Sequence, residues 1–305
     1  MLRNGFNAAN WYFFRKFANR ETVLLRSHKI FFVKFRIRSF MADKKRILIV
    51  TQEMKPYTNL SQISEVVRQY SQFIQENGVE VRILMPKFGT INERRHRLHE
   101  VVRLSGMNIN IDDDDYPLII KVASLPGTRM QVYFLDNEEF FKRKQVFEDA
   151  DGNFFEDNLD RTLFFCKGVV ETVKKFGWAP DIVHAHGWMT SLLPALLETT
   201  YQNEPIFQNA QVVYSAYDAT VANNAFNETF AEKANNNGMK EVSDAFFTDG
   251  NLDLNAGGAK FAAGTIVGAS DVEVESINLM EYQEEFSSKY LEFYEELMAA
   301  TEENV

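Results

Sequence analysis

The segment RILIVTQ, Arg46 to Gln52, is a short unbroken run of apolar and β-branched residues. Such a run suits a strand buried on both faces, as in a parallel sheet, and not a strand with one wet face. The period then changes. Ile63, Val66, Val67, Tyr70, Phe73 and Ile74 recur at spacings of three and four, which puts them on one side of a helix. Asn77-Gly78 stops it, and VEVRILMP (79–86) is a second buried run. Strand, helix and strand in this order predict a parallel pair with a right-handed crossover.

The pattern continues along the chain. EVVRLSGMNINI and PLIIKVASLPGTRMQVYFLDN, between about 98 and 135, read as shorter strands of a β-rich insertion. Pro126-Gly127 is its turn, and Asp112 to Asp115 a solvated loop. A helical period returns from Leu159 to Phe176 and ends at Gly177; DIVHAHG is the next buried strand. WMTSLLPALLETT is the helix after it, with Pro194 tolerable in its early turns. QVVYSAYD (211–218) is a further strand, followed by a long Asn-rich loop region with short helices. From Ile277 an acidic helix carries Tyr290, Phe293, Tyr294 and Leu297 on or near one face, and is expected to dock on its own chain. The fold class is therefore α/β, a Rossmann-like parallel sheet with flanking helices and a β-rich insertion. Ligands of such sheets collect beyond the carboxyl ends of the strands, so the loops after residues 50, 186 and 216 are the places to look.

Composition excludes several functions. The single cysteine, Cys166, rules out a disulfide framework and a Cys-based zinc site and fits a reducing compartment, the cytoplasm. No apolar run reaches the length of a membrane span. Residues 1–40 hold nine Lys/Arg and eight Phe against the single acid Glu21, with no secretory h-region, and read as a basic aromatic extension outside the fold. Residues 41–305 are then the domain proper, with 24 bases facing 42 acids. An acidic body of that kind is a poor nucleic-acid binder.

His184 and His186 stand two apart, so in an extended chain they face the same way. Three readings are open: a metal chelate, simple packing, and a polar site without metal. No third ligand stands near them, and the last fits the residues best. No cofactor is expected. In the loop after the first strand, Ser61 or Ser64 can cap the helix with Gln62 or Glu65 nearby, and no glycine opens the backbone to a phosphate. Asp157, Asp160 and Arg161 occupy the start of a helix, where acids suit the dipole.

Taken together, these segments resemble the N-terminal domain of the glycogen and starch synthases, retaining glucosyltransferases of the two-domain GT-B type. The resemblance runs from about Lys45 to Ser276. ILIVTQEMKP is similar to the family's opening strand with its Glu-x-x-Pro, and VEVRILMPKFG to its second strand. LDNEEFFKRKQVFEDADGNFFEDNLDRTLFFCKGVVETVKKFGWAPDIVHAHGW resembles its Asp-Asn-x-x-Arg-Phe and His-x-His-Asp-Trp segments, and is the most specific part. The resemblance implies metal-free transfer of glucose from ADP- or UDP-glucose to the non-reducing end of an α-1,4-glucan. It implies catalytic roles for His186 and Asp157, and substrate contacts for His184, Trp188, Asn158, Arg161 and, at the position of the family's lysine, Asn59.

Other positions depart from the family. Its Lys-x-Gly-Gly-Leu loop falls on Asn59, Leu60, Ser61, Gln62 and Ile63. Without the cation, a charge-assisted contact to a diphosphate, about 1.5–3 kcal/mol, is lost. Gly187 replaces the Asp after His-x-His, and Tyr217-Asp218 replaces His-Asn. The family's second domain, which clamps the diphosphate, is not found before Val305. The expectation is a synthase-like domain weakly active or inactive alone, with a separate protein supplying a donor domain as a candidate partner. The alternative is a non-catalytic glucan-binding or regulatory module of glycogen metabolism.

Overall fold

The computed structural model describes residues 44–268, 277–278 and 286–302. The chain divides between Lys44 and Lys45, and the second unit carries the architecture that follows. The extension at 1–40 and the start of the acidic segment, 279–285, lie outside the described residues.

Strand β1 (Arg46–Thr51) and β2 (Glu80–Pro86) pair in parallel, Arg46 opposite Glu80 and Val50 opposite Leu84, with helix α1 (Ile63–Glu76) between them. Ile47 to Val50 are buried, as the apolar run requires. On the other side of β1 lies β7 (Ile182–His186), paired from Ile47–Ile182 to Thr51–His186. β8 (Gln211–Ala216), β9 (Gly264–Val267) and β10 (Ile277–Asn278) follow, all parallel. On the β2 flank, β6 (Gln131–Asp136) is parallel to β2, and β5 (Asp114–Ser124) is antiparallel to β6. β3 (His99–Glu100) and β4 (Met107–Ile111) both run antiparallel to β5. The sheet order is β10-β9-β8-β7-β1-β2-β6-β5-β3, with β4 also on β5. This is the predicted α/β class with a largely parallel sheet.

Two differences from the sequence reading have clear causes. Only β3, β4 and β5 form the antiparallel insertion; β6 joins the parallel sheet because Val132 to Leu135 are all buried, whereas β4 and most of β5 alternate. β9 is only GTIV, too short to show a period, and follows the Asn-rich loop stretch. It is preceded by α4 (Leu254–Lys260), whose two interior glycines argue against a helix. Two features offset that. Asp253 caps α4, accepting from the Asn255 and Ala256 N–H groups at 3.0 Å. Gly258 lets the helix approach the Tyr214 ring of β8, where a Cβ would come within 2.9 Å.

The acidic run is not a simple solvated loop. Asp112 and Asp113 turn the β4–β5 hairpin, while Asp114 and Asp115 enter β5. Asp112 meets Lys233 Nζ at 2.6 Å and accepts from Asn237 Nδ2 at 2.9 Å. Helices α2 (Asn158–Phe176) and α3 (Leu192–Glu198) follow the prediction, with Gly177 at the end of α2 and Pro194 in the first turn of α3. α5 (Phe286–Glu302) packs on α1, the Tyr290 ring stacked on Tyr70 at 4.2 Å and 13°.

Candidate functional site

The alternation of strand and loop places the chain's polar turns at the carboxyl ends of β1, β7 and β8, and a cavity of about 360 Å³ opens there. Gln52, Glu53 and Leu60 to Ile63 enter it from the β1 loop, Trp188 from the β7 loop, and Tyr217 to Ala222 from the β8 loop. Phe147, Glu148 and Phe154 close one side. Trp188 lies 4.8 Å from the Phe147 ring and 5.8 Å from Phe154. The walls are thus aromatic, and the polar groups include three carboxylates, Glu53, Glu148 and Asp218. Asp218 is held below the usual carboxylate range by the backbone N–H and hydroxyl of Thr220. No lysine or arginine lines the cavity among the described residues.

The β1 loop is organised from within. Glu53 is fully buried, and one carboxylate oxygen accepts from the Leu60 N–H at 2.7 Å and the Ser61 N–H at 2.9 Å. The other accepts from Ser61 Oγ at 2.6 Å. The backbone donors just ahead of α1 therefore meet a carboxylate of the same chain. The capping expectation is met only in part: Ser61 Oγ accepts from the Ile63 N–H at 3.2 Å, while the Gln62 side chain caps nothing and donates instead to the Gly268 carbonyl. Asn59, the substituted lysine position, accepts from Ser64 Oγ at 2.9 Å and does not line the cavity.

The two histidines lie elsewhere. Both are fully buried on the side of β7 covered by α1 and α5, their rings 3.9 Å apart. His184 uses both nitrogens, Nδ1 with Tyr294 Oη at 2.5 Å and Nε2 with Ser215 Oγ at 2.8 Å. His186 Nε2 meets Tyr70 Oη at 2.7 Å, and its Nδ1 has no partner among the described residues. Burial pushes the His186 pKa down to about 3, and burial, then the neighbouring imidazole, pushes His184 well below its ordinary value. Both rings are neutral over the physiological range. Neither lines the cavity; Trp188, two residues on, does.

Gly187 between them explains one departure. Its φ is +83°, and a Cβ there would fall 2.5 Å from Gln52 Oε1 and 3.0 Å from Ile63 Cδ1. Gln52 fills that space and accepts from the Met189 N–H at 3.2 Å. An aspartate at 187 would adopt a strained left-handed backbone and would have to displace the Gln52 side chain.

Asp157, Asn158 and Arg161 come together, but as a clamp. Asp157 takes both Nη atoms of Arg143. Asn158 Nδ2 donates to the Phe147 carbonyl at 2.8 Å, and its Oδ1 accepts from Arg161 Nη1. Arg161 also donates to the Val146 carbonyl at 2.7 Å, and its guanidinium lies among the rings of Phe88, Phe141 and Phe155, 5.4–5.7 Å from their centroids. Burial lowers its pKa to about 10. The three hold the strand of chain that delivers Phe147 and Glu148 to the cavity. Sequence reasoning did not single out Phe147, Glu148 and Phe154 as site residues. The available signal was their position, a polar and aromatic stretch just before an α2 whose first turn points at strand ends.

A family model described as the starch synthase catalytic domain matches residues 46–286. The chain belongs to the glycogen and starch synthase family. The glycogen synthase of Chlorobium limicola is 40% identical over 174 residues, 57% of this chain and 36% of the relative. That of Chlorobaculum tepidum is 38% identical over 174 residues, with the same coverage. The chain spans about a third of the length of the curated relatives it matches. The catalytic domain of starch synthase IV from Arabidopsis thaliana, solved bound to ADP and acarbose, superposes with a TM-score of 0.60 at 18% identity. The superposition covers 73% of this chain and 45% of the plant chain, and shows a shared fold. No helix among the described residues is long and apolar enough to cross a membrane.

Proposed function

We propose that this domain holds a segment of α-1,4-glucan in the cavity at the ends of β1, β7 and β8 and, by itself, transfers glucose weakly or not at all. The observation that carries this reading is the lining: three carboxylates and four large aromatic rings, with no lysine or arginine among the described residues. Carboxylates accept hydroxyl hydrogens, and aromatic faces take the apolar faces of pyranose rings. A diphosphate, by contrast, meets repulsion from Glu53, Glu148 and Asp218. In this reading Trp188 touches the sugar. Asp157, Asn158 and Arg161 position the Phe147 wall, and Asn59, His184 and His186 support the frame behind it.

The family reaction, transfer from ADP- or UDP-glucose in cytoplasmic glycogen synthesis, then requires a donor-binding lobe supplied from outside this domain. Incubation with ADP-glucose and maltoheptaose tests the proposal, with ADP release and calorimetric binding followed together. The expected result is maltoheptaose binding that weakens at least about tenfold in Trp188→Ala, without ADP release. Steady ADP release by the chain alone, or maltoheptaose binding indifferent to Trp188→Ala, rejects it.

A further inference from the structure

Away from the cavity, residues 93–103, ERRHRLHEVVR, carry four arginines in a body where bases are outnumbered almost two to one. Arg94 and Arg95 lie on the one-turn helix Glu93–His96, Arg97 follows it with φ +55°, and Arg103 comes just after β3. All four are exposed, and none forms an ion pair among the described residues. Of the two acids in the segment, Glu93 is held by Lys87 at 2.7 Å and Lys121 at 2.8 Å, and Glu100 on β3 is exposed, so four arginines face one unpaired carboxylate and the segment keeps a net positive charge. Val102 beside them is 78% exposed, the most exposed large hydrophobic residue described.

The backbone adds a second, independent feature. β3 ends the sheet order: it pairs with β5 through His99–Val122 and Glu100–Lys121, and no strand pairs with its outer side among the described residues. A free edge is a template for one more extended chain. Four cations along it select the chemistry of that chain, and exposed Val102 offers it one apolar contact. We propose that this edge takes an extended, acidic polypeptide segment of a partner protein. Nucleic acid fits less well, since it cannot use the strand edge and is repelled by the acidic body.

The test uses the full chain and a fluorescein-labelled (Glu-Val)6 peptide in 50 mM salt, read by anisotropy. The expected result is saturable binding that weakens at least about tenfold in the R94E/R95E/R97E triple variant and again on raising salt to 500 mM. A (Gln-Val)6 peptide, and a (Glu-Pro)6 peptide that cannot pair with the edge, are expected not to bind. Circular dichroism confirms that the exposed triple change leaves the fold intact. No binding of (Glu-Val)6, equal binding by the triple variant, equal binding of (Glu-Pro)6, or displacement by single-stranded DNA of matched charge overturns the proposal. So does concentration-dependent self-association that the triple variant abolishes, since it makes a second copy of this chain the occupant.

Discussion

One five-residue stretch, His184 to Trp188, feeds two regions of opposite character. Behind the sheet, His184 and His186 are sealed among Tyr70, Tyr290, Tyr294 and Ser215, with every ring buried and, among the described residues, no partner for the His186 Nδ1. At the strand end, Trp188 faces an open, acidic, aromatic-walled cavity. The first region is closed and densely packed, and the second is the cavity in which the proposed glucan would sit. Residues that a motif groups together are separated by the pleat and by the turn at Gly187, so a motif match does not by itself place every member in the same site.

Mutations that separate the two regions sharpen this contrast. The largest expected effect is Tyr70→Ala, which removes a ring stacked on Tyr290 and the partner of His186; unfolding in urea should show a loss of about 3–5 kcal/mol. If stability barely changes, the cluster is not a core. Acid is next. His186 is held neutral in the fold down to about pH 3 but protonates near its ordinary value of 6.5 when unfolded. The unfolded state thus binds more protons below pH 6.5, so stability is complete above that pH and falls as pH drops toward 3. The slope is about 1.4 kcal/mol per pH unit from this residue, with His184 acting in the same sense. Equilibrium unfolding from pH 7 to pH 5 measures it, and a His186→Leu variant should flatten the curve.

On the cavity side, Glu53→Ala strips the partner from two loop N–H groups and one hydroxyl, with an expected cost of about 1–3 kcal/mol. Hydrogen exchange at Leu60 and Ser61 should accelerate ahead of exchange in β7. If the two accelerate together, the loop is not an independent unit. The smallest effect belongs to Asn59→Ala. It loses one hydrogen bond at an exposed position, about 0.5–1.5 kcal/mol at most, and maltoheptaose affinity should stay within twofold.

Much of the fold could be read before any coordinates. The β1-α1-β2 unit, α2, β7 and β8 follow from period alone, because each buries a side set at its own spacing. β9 could not be read, since a four-residue strand shows no period; short helices were expected in the Asn-rich stretch, but the place of α4, with its two glycines against propensity, is decided by Asp253 and the Tyr214 ring. In the site, the loops after β1, β7 and β8 were marked as the place to look because sheet topology dictates it. The residue roles were harder. Asp157, Asn158 and Arg161 lie together, but which way they point depends on Arg143 and on the phenylalanines around Arg161, distant in sequence from any motif.

By itself the amino-acid order determined the alternation of buried strands and one-sided helices, the acidic body with its basic segment at 93–103, and the family. Those properties are local: they depend on the spacing and type of neighbouring residues. Only the tertiary structure decided that the imidazoles are covered by α1 and α5, that Glu53 occupies the amides ahead of α1, and that Gln52 packs against Gly187. Each of those outcomes is a competition for space or hydrogen bonds between groups far apart in the chain, and such competitions are settled by packing.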